Sequence, residues 1–382
     1  NIILAQYKDA FGHQAWNIEC YCRYYYSLYG RLPHVIAFQQ SAFIPNQAIY
    51  ERHLAHGVYV LSHTNFFTRL FRLTRSNCHH YIKDTSNESK LLFCRFSMND
   101  IHTVLQVDRL ETSAFPFKKE EDIRGKAVLT QMGLLPHTYI CVHDRSTEYK
   151  DAVTQTNSHT RPSWGEANRA VAFDNTRNSR FDNLMPTIES LSKLAISAVR
   201  VGANPTVAVR SEHVLDYASK RELYDDFTDL ALIRFCKFFV GPNSGIWLLA
   251  RSFDKPVCMI NVFPWPWINV PMGENSLVIP KKYWHIKDQR FLTIHEMIDM
   301  ERQFYWKRFY RDEFFEHLGI EMIENSADEI YGAVTEMNSR IDGNWTGTTY
   351  PLASYLTSSN LARRSKALFP SQFVESNYDI FF

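Results

Sequence analysis

The stretch Lys237-Phe238-Phe239-Val240-Gly241-Pro242-Asn243-Ser244-Gly245-Ile246-Trp247 constrains this chain most. An apolar run of strand type meets a sharp Gly-Pro-Asn-Ser-Gly turn. The apolar residues Leu248, Leu249 and Ala250 then continue as a helix. An amphipathic segment, Phe227 to Cys236, precedes the strand, and a second short apolar run, Lys255 to Asn261, follows the helix. The order helix, strand, turn, helix, strand is how a parallel α/β sheet is built. At such a turn glycines let a ligand approach the backbone. Ser244 offers a hydroxyl, and the helix start offers N–H groups and a positive dipole end. A phosphate is the natural guest; a plain tight turn between strand and helix is the alternative.

The rest of the chain repeats the alternation. Strands are expected at Asn1–Ala5, Pro33–Phe38, Gly57–Leu61, Leu91–Phe96, Tyr139–His143 and Ile196–Val201, and Leu277–Pro280 with the following Lys281–Trp284 is expected as a further turn. Helices are expected at Ala15–Tyr29, Asn46–Leu54, Lys118–Met132, Phe181–Leu194, Thr293–Phe309 and Ala327–Arg340. A polar loop is expected over Gln6–Gln14, and long irregular segments over 62–118 and Asp144–Asn178. The loop Val262–Pro271, with Trp265 and Trp267, reads as rigid and aromatic. Gly133-Leu134-Leu135-Pro136 marks a boundary. It divides the 382 residues into an N-terminal domain over 1–132, a C-terminal domain over 133–350, and a tail over 351–382 that is free to pack back on the N-terminal domain. The first residues read as a strand, as they would in a domain cut from a longer chain.

Several classes are disfavoured. A net charge of +1 gives no bulk attraction to nucleic acid. No run of about 18 apolar residues is present to span a membrane. The seven cysteines are odd in number and sit mostly in apolar runs, as free thiols in a reducing, cytoplasmic compartment would. Cys78-His79-His80 lacks a partner cluster at zinc spacing. The sequons at Asn87 and Asn344 are of the kind that arise by chance. No Gly-x-x-x-x-Gly-Lys-Ser/Thr loop, no Gly-x-Gly-x-x-Gly fingerprint and no Gly-x-Ser-x-Gly elbow occurs. No Asp-x-Asp stands at a strand end, which argues against a metal-dependent sugar transferase.

Other candidate residues fall at strand ends. Arg145, in His143-Asp144-Arg145, could grip a diphosphate with paired hydrogen bonds, or pair with Asp144 or Glu148. Arg200 and Gly202 follow another strand. Arg177-Asn178 is either a ligand clamp or a capping segment. Asp229 either accepts from a base or ribose, or caps a helix. Gly12-His13, after the first strand, sets a histidine that could act as a general base if the two domains oppose each other; a structural histidine is the alternative.

In this order, His143-Asp144-Arg145, Arg177-Asn178-Ser179, Arg200-Val201-Gly202, Asp229 and Gly241-Pro242-Asn243-Ser244-Gly245 are similar to motifs of the bacterial glycosyltransferases of O-antigen, capsule and exopolysaccharide clusters. More distantly the chain resembles the GT-B fucosyltransferases with a His-x-Arg motif. The resemblance is clear over residues 139–285. It implies an α/β GT-B fold, two Rossmann-like domains facing a cleft, and transfer from a nucleotide-sugar to a glycan hydroxyl without metal or other cofactor. Arg145 and Ser244 would hold the diphosphate, with Asn243 and Gly245 shaping the turn. Asp229, Arg200, Gly202 and Arg177 would sit near the nucleotide, and His13 and Arg145 would be catalytic. The family pattern has an acidic residue after the motif arginine; here it is Ser146. The implied partners are a nucleotide-sugar and a glycan acceptor, with no nucleic acid. Peripheral contact with the inner membrane, for instance by the tail with Arg363-Arg364, stays open. So do two rivals: an α/β protein that binds a nucleotide or glycan without turnover, and a transferase using another phosphorylated donor, such as a pyruvyl transferase.

Overall fold

A computed structural model describes residues 2–7, 10–39, 41–73, 92–93, 113–146, 175–203, 205, 207–263, 276–303, 312–355 and 366–382. Two parallel sheets organise the chain. The first holds β1 (Ile2–Tyr7), β2 (His34–Gln39), β3 (Val58–Leu61) and β4 (Leu92–Phe93), in the order β3-β2-β1-β4. The second is built on β5 (Tyr139–Val142), β6 (Ser197–Arg200), β7 (Val214–Asp216), β8 (Phe239–Gly241), β9 (Val257–Val262) and β10 (Leu277–Pro280), in the spatial order β7-β6-β5-β8-β9-β10. Ladders β5–β6, β5–β8, β8–β9 and β9–β10 are all parallel. Each sheet therefore reverses its winding direction beside its first strand, which opens a crevice at that strand's carboxyl end.

The local chemistry explains these elements. Strands β5, β8 and β9 are buried along their whole length, as in a sheet covered on both faces, and read as continuous apolar runs. Helix α1 (Phe11–Tyr29) ends at Gly30, whose φ of 64° is left-handed. Helix α2 (Gln47–Ala55) begins where the Asn46 side chain accepts from the Ile49 N–H. The remaining helices of interest are α3 (Phe66–Leu73), α4 (Lys119–Gln131), α5 (Met185–Ser192), α6 (Asp226–Phe235) and α7 (Ile246–Ser252).

Three expectations change. Gly12 and His13 lie in the first turn of α1, not in a polar loop, because the helix begins at Phe11. The segment Leu277–Trp284, expected as a turn, holds the parallel strand β10 and enters β11 (Lys282–His285), which pairs antiparallel with β12 (Arg290–Phe291) and β13 (Ile320–Ile323). Helix α4, assigned by sequence to the first half, packs on α6 of the second. A Cβ on Gly125 would meet the Phe235 ring at 2.6 Å, so only glycine allows that approach.

The described part of the tail packs on the second sheet. Strand β14 (Tyr350–Pro351) pairs with β15 (Leu368–Phe369), which joins β10. Ser371 donates its N–H and hydroxyl to the buried Glu336 of the helix Ala327–Ile341. Arg363 and Arg364, the segments 147–174 and 264–275, Cys78-His79-His80 and the Asn87 sequon lie outside the described residues.

The two halves are joined by buried polar contacts. Arg23 of α1 is 0% exposed and donates to both carboxylate oxygens of Asp254, at 2.7 and 2.9 Å, and to Glu19 at 2.6 Å. Asn46 donates at 3.1 Å to Asp229 of α6.

Candidate functional site

The candidate site occupies the carboxyl edge of the second sheet, beside its winding reversal. Arg145 follows β5, the Asn243-Ser244 turn follows β8, and Lys281 follows β10. Parallel strands bring all three to one edge. Arg145 is 7% exposed, and its Nη1 donates to the Asn178 side chain at 2.7 Å. Its backbone is clipped to Ser179: the Arg145 N–H donates to the Ser179 hydroxyl at 3.2 Å, and the Ser179 N–H to the Arg145 carbonyl at 3.1 Å. Lys281 reaches the same segment, its Nζ donating to the Asn178 carbonyl at 2.7 Å. Arg177 donates to the Asn243 carbonyl. Residues 177–179 thus gather three cations at one place on the rim.

Asn243 shapes the turn through its own side chain. Its Nδ2 donates to the Phe263 carbonyl at 2.6 Å, and its Oδ1 accepts from the Phe263 N–H at 3.2 Å. It is 1% exposed, and it fixes the turn to the end of β9. The Ser244 Oγ is buried and has no hydrogen-bond partner among the described residues. A buried hydroxyl is most stable when hydrogen-bonded, so this atom could serve a ligand oxygen at the turn. Gly245 is the N-cap of α7 and, like Ala10 at the N-cap of α1, brings no capping side chain.

The two uncapped helix starts touch. A Cβ built on Gly12 would lie 2.8 Å from the Gly245 Cα, and one on Gly245 would lie 3.0 Å from the Gly12 N. The first turn of α1, with His13 next to Gly12, therefore meets the turn that carries Ser244. The His13 Nδ1 lies 3.4 Å from the Asn17 Oδ1, one helical turn on. The Asn17 side chain can thus orient the ring.

Three of the residues expected near the nucleotide are engaged by the protein itself. Arg200 is 2% exposed; its Nε and Nη2 both donate at 2.7 Å to Asp144, its Nη1 donates to the Val207 carbonyl at 2.7 Å, and its guanidinium covers the Phe181 ring at 4.6 Å. It braces the strand end that presents Arg145. Gly202, with φ of 126°, serves His143: a Cβ there would meet the imidazole Nδ1 at 2.8 Å, and that nitrogen donates to the Val201 carbonyl at 2.8 Å. Burial holds the His143 imidazole below its usual pKa, so it is a neutral wedge. Asp229 is 3% exposed and accepts from Tyr217 at 2.9 Å, Arg221 at 2.6 Å and Asn46 at 3.1 Å. Burial raises its pKa while Arg221 opposes the rise, and its carboxylate ties the two halves together.

Lys281 is the rim cation that sequence reading missed. Its signal was present, a lysine directly after the apolar run Leu277–Pro280, but the two lysines there looked like an ordinary surface turn. Among the described residues no group of three or more His, Cys, Asp or Glu is arranged to hold a metal ion. None of the described helices is long and apolar enough to cross a membrane.

Two parallel sheets, each reversing its winding beside its first strand and with the reversal points in contact, make this a mixed α/β protein. No protein-family model matches the chain. No curated protein matches it either, so the likeness to O-antigen-cluster enzymes and fucosyltransferases has no counterpart there. Solved structures to which the chain is similar include a glycosyl transferase of family 9 from Veillonella parvula, at 9% identity and a TM-score of 0.39, covering 68% of this chain and 79% of that one. The iron-containing dodecameric heptosyltransferase TibC, in complex with ADP-D-beta-D-heptose, is similar at 11% identity and a TM-score of 0.39, covering 89% and 77%. The E. coli ADP-heptose lps heptosyltransferase II is similar at 12% identity and a TM-score of 0.36, covering 68% and 84%.

Proposed function

We propose that the protein is a glycosyltransferase that moves a sugar from a nucleotide-sugar to a hydroxyl of a glycan acceptor. The observation that carries this reading is the gathering of Arg145, Arg177 and Lys281 on the rim of a doubly wound sheet, beside the buried Ser244 hydroxyl, which has no partner among the described residues. The start of α1 lies directly opposite. Such a rim suits a diphosphate: fixed cations and helix-start N–H groups stabilise charge that grows as the leaving group departs.

In this reading the acceptor oxygen attacks the anomeric carbon of the donor sugar. The bond from that carbon to the diphosphate oxygen breaks, and the nucleoside diphosphate leaves with the electron pair. The acceptor proton passes to His13, the general base in the first turn of α1. Arg145 and Lys281 neutralise the departing diphosphate, and no metal is needed in that role. The reading extends to a cytoplasmic enzyme of bacterial surface polysaccharide synthesis. The described cysteines Cys20, Cys22, Cys141, Cys236 and Cys258, all free and buried, suit a reducing compartment.

The test is thermal shift against GDP, UDP, CMP, dTDP and ADP, with and without EDTA, followed by transfer assays with the sugar of the stabilising nucleotide. One nucleotide should raise the melting temperature by several degrees whether or not EDTA is present. Silence across all five would remove the donor site. Tight binding with no transfer or donor hydrolysis would favour a nucleotide-binding protein without turnover.

A further inference from the structure

Asn325 stands in the connection between β13 and the helix Ala327–Ile341, and it is 0% exposed. A buried asparagine must satisfy its polar groups inside the protein. Here the backbone and the side chain are both engaged. The Asn325 N–H donates to the Asn261 Oδ1 at 2.7 Å, and the Asn325 Oδ1 accepts from the Asn261 N–H at 2.6 Å. Its Nδ2 donates to the Pro280 carbonyl at 2.8 Å, and its own carbonyl accepts from the Asn183 Nδ2 at 3.2 Å. One residue thus ties together the end of β9, the end of β10 and the short helix Phe181–Leu184 that follows residues 177–179.

These are the elements that carry the rim. β9 runs on to Phe263, whose backbone holds the Asn243 side chain, and Pro280 directly precedes Lys281. A proline brings no N–H to a ladder, and the β9–β10 register shifts between Val278 and Pro280. The strand end is held there by the Lys281 N–H, which donates to the Val262 carbonyl at 3.1 Å, and by the Asn325 side chain. Asn261 has a φ of 50°, in the left-handed region that most side chains avoid and asparagine tolerates. Closing the loop needs only the reciprocal pair of Asn261 and Asn325. The bond from Nδ2 to Pro280 goes further and reaches the strand end beside the rim lysine. From that strand end the Lys281 Nζ runs to the Asn178 carbonyl at 2.7 Å and lies 3.8 Å from the carboxylate of Glu324, next to Asn325.

We infer that Asn325 is a positioning residue of the rim: by holding the Pro280 carbonyl it sets the Lys281 ammonium where a diphosphate would meet it, without touching the ligand itself. For its ligand this inference rests on the transferase reading; for the placement of Lys281 in the free protein it does not.

The test reads Lys281 without and with a ligand. In the free protein, acetylation by an N-hydroxysuccinimide ester is timed lysine by lysine with mass spectrometry. Asn325→Ala should speed acetylation of Lys281 about five-fold or more, as local opening does, while Lys237 and Lys255, held by other partners, stay within about two-fold. Asn325→Asp, assayed at pH 8, keeps the size and the acceptor for the Asn261 N–H but loses the donor to Pro280; it decides the matter if the alanine variant does not fold. Asn261→Gly permits the same φ and leaves the bond to Pro280, so it should not release Lys281. With inorganic pyrophosphate as the probe in calorimetry, Asn325→Ala should bind about ten-fold more weakly than wild type, the order of one hydrogen bond to a charged group. Added to Lys281→Ala, it should cost no more than about two-fold further, because it acts through that lysine. Unchanged acetylation of Lys281 in the Asn325 variants overturns the inference, as does equal release by Asn261→Gly or a fully additive loss in the double variant. A wild type that binds neither pyrophosphate nor a nucleotide, with Lys281 still released by Asn325→Ala, would overturn the transferase reading and keep the placement of Lys281 by Asn325.

Discussion

Gly12 and Gly245 touch backbone to backbone, and a Cβ on the first would lie 2.8 Å from the Cα of the second. This contact sets the spacing between the two helix starts. Gly12→Ala should cost about 1–3 kcal/mol of stability, the range typical of overpacking against backbone that cannot swing aside. Gly245→Ala should behave alike. The double variant should cost clearly less than the sum, because one displacement relieves both clashes. Denaturant unfolding of the three variants checks this.

Arg145→Ala and Lys281→Ala should each lower transfer by roughly 10²–10³-fold, and each should cost about 1–3 kcal/mol of stability because both side chains are buried and hydrogen-bonded to Asn178. Arg200→Ala should differ. It strips Asp144 of a bidentate buried partner and should destabilise by about 3–5 kcal/mol, with Arg200→Lys a poor rescue because a lysine cannot form the fork. Melting curves run beside nucleotide titrations separate the two behaviours.

His13→Ala should lower turnover by about 10²–10⁴-fold while nucleotide affinity stays within error, the signature of a lost general base. Equal losses in both would instead assign His13 to donor binding. Asn17→Ala, which removes the neighbour 3.4 Å from the His13 Nδ1, should reduce turnover less and shift its pH profile.

Acid should weaken the fold through His53. Its Nδ1 lies 3.1 Å from the Tyr7 hydroxyl, which accepts from Gln14 and so has its own proton to give to the ring. Burial, with Arg52 and His56 nearby, lowers the His53 pKa to about 3. The unfolded chain takes up this proton near its usual value of about 6.5. Between the two values the unfolded state binds more protons, so stability falls as pH drops through that window, by at most about 1.4 kcal/mol per pH unit. His53→Gln should flatten the slope between pH 6.5 and 4, as read from denaturant midpoints.

Arg23→Met should destabilise by about 3–5 kcal/mol, since it leaves the carboxylates of Glu19 and Asp254 without their shared cation at the junction of the halves. The Arg23→Met/Asp254→Asn pair should recover part of that loss. Urea unfolding of both proteins measures the recovery.

Much of the scaffold was legible because its signals are local. The apolar runs of β5, β8 and β9, the turn at Asn243-Ser244 and the Asn46 cap are written in neighbouring residues. The roles of charged residues were not, because their partners lie far along the chain. Arg200 finds Asp144 across 56 residues, and Asp229 finds Asn46 across 183. A buried arginine and a ligand-gripping arginine look alike until the strand pairing is known. The start of α1 was missed for a different reason: its first turn, Phe11-Gly12-His13-Gln14, carries no capping residue and a glycine that helices disfavour. That glycine is there for the contact with Gly245.

The paired glycines and the Arg23–Asp254 bridge also bear on how such a chain can vary. Neither half can accept a side chain at its helix start, or lose its charge at the bridge, without a matching change in the other. The two sheets therefore form a single unit of inheritance. A chimera that joins residues 1–132 to the second half of a related protein should fold well only when that half supplies both a glycine where Gly245 stands and a carboxylate where Asp254 stands.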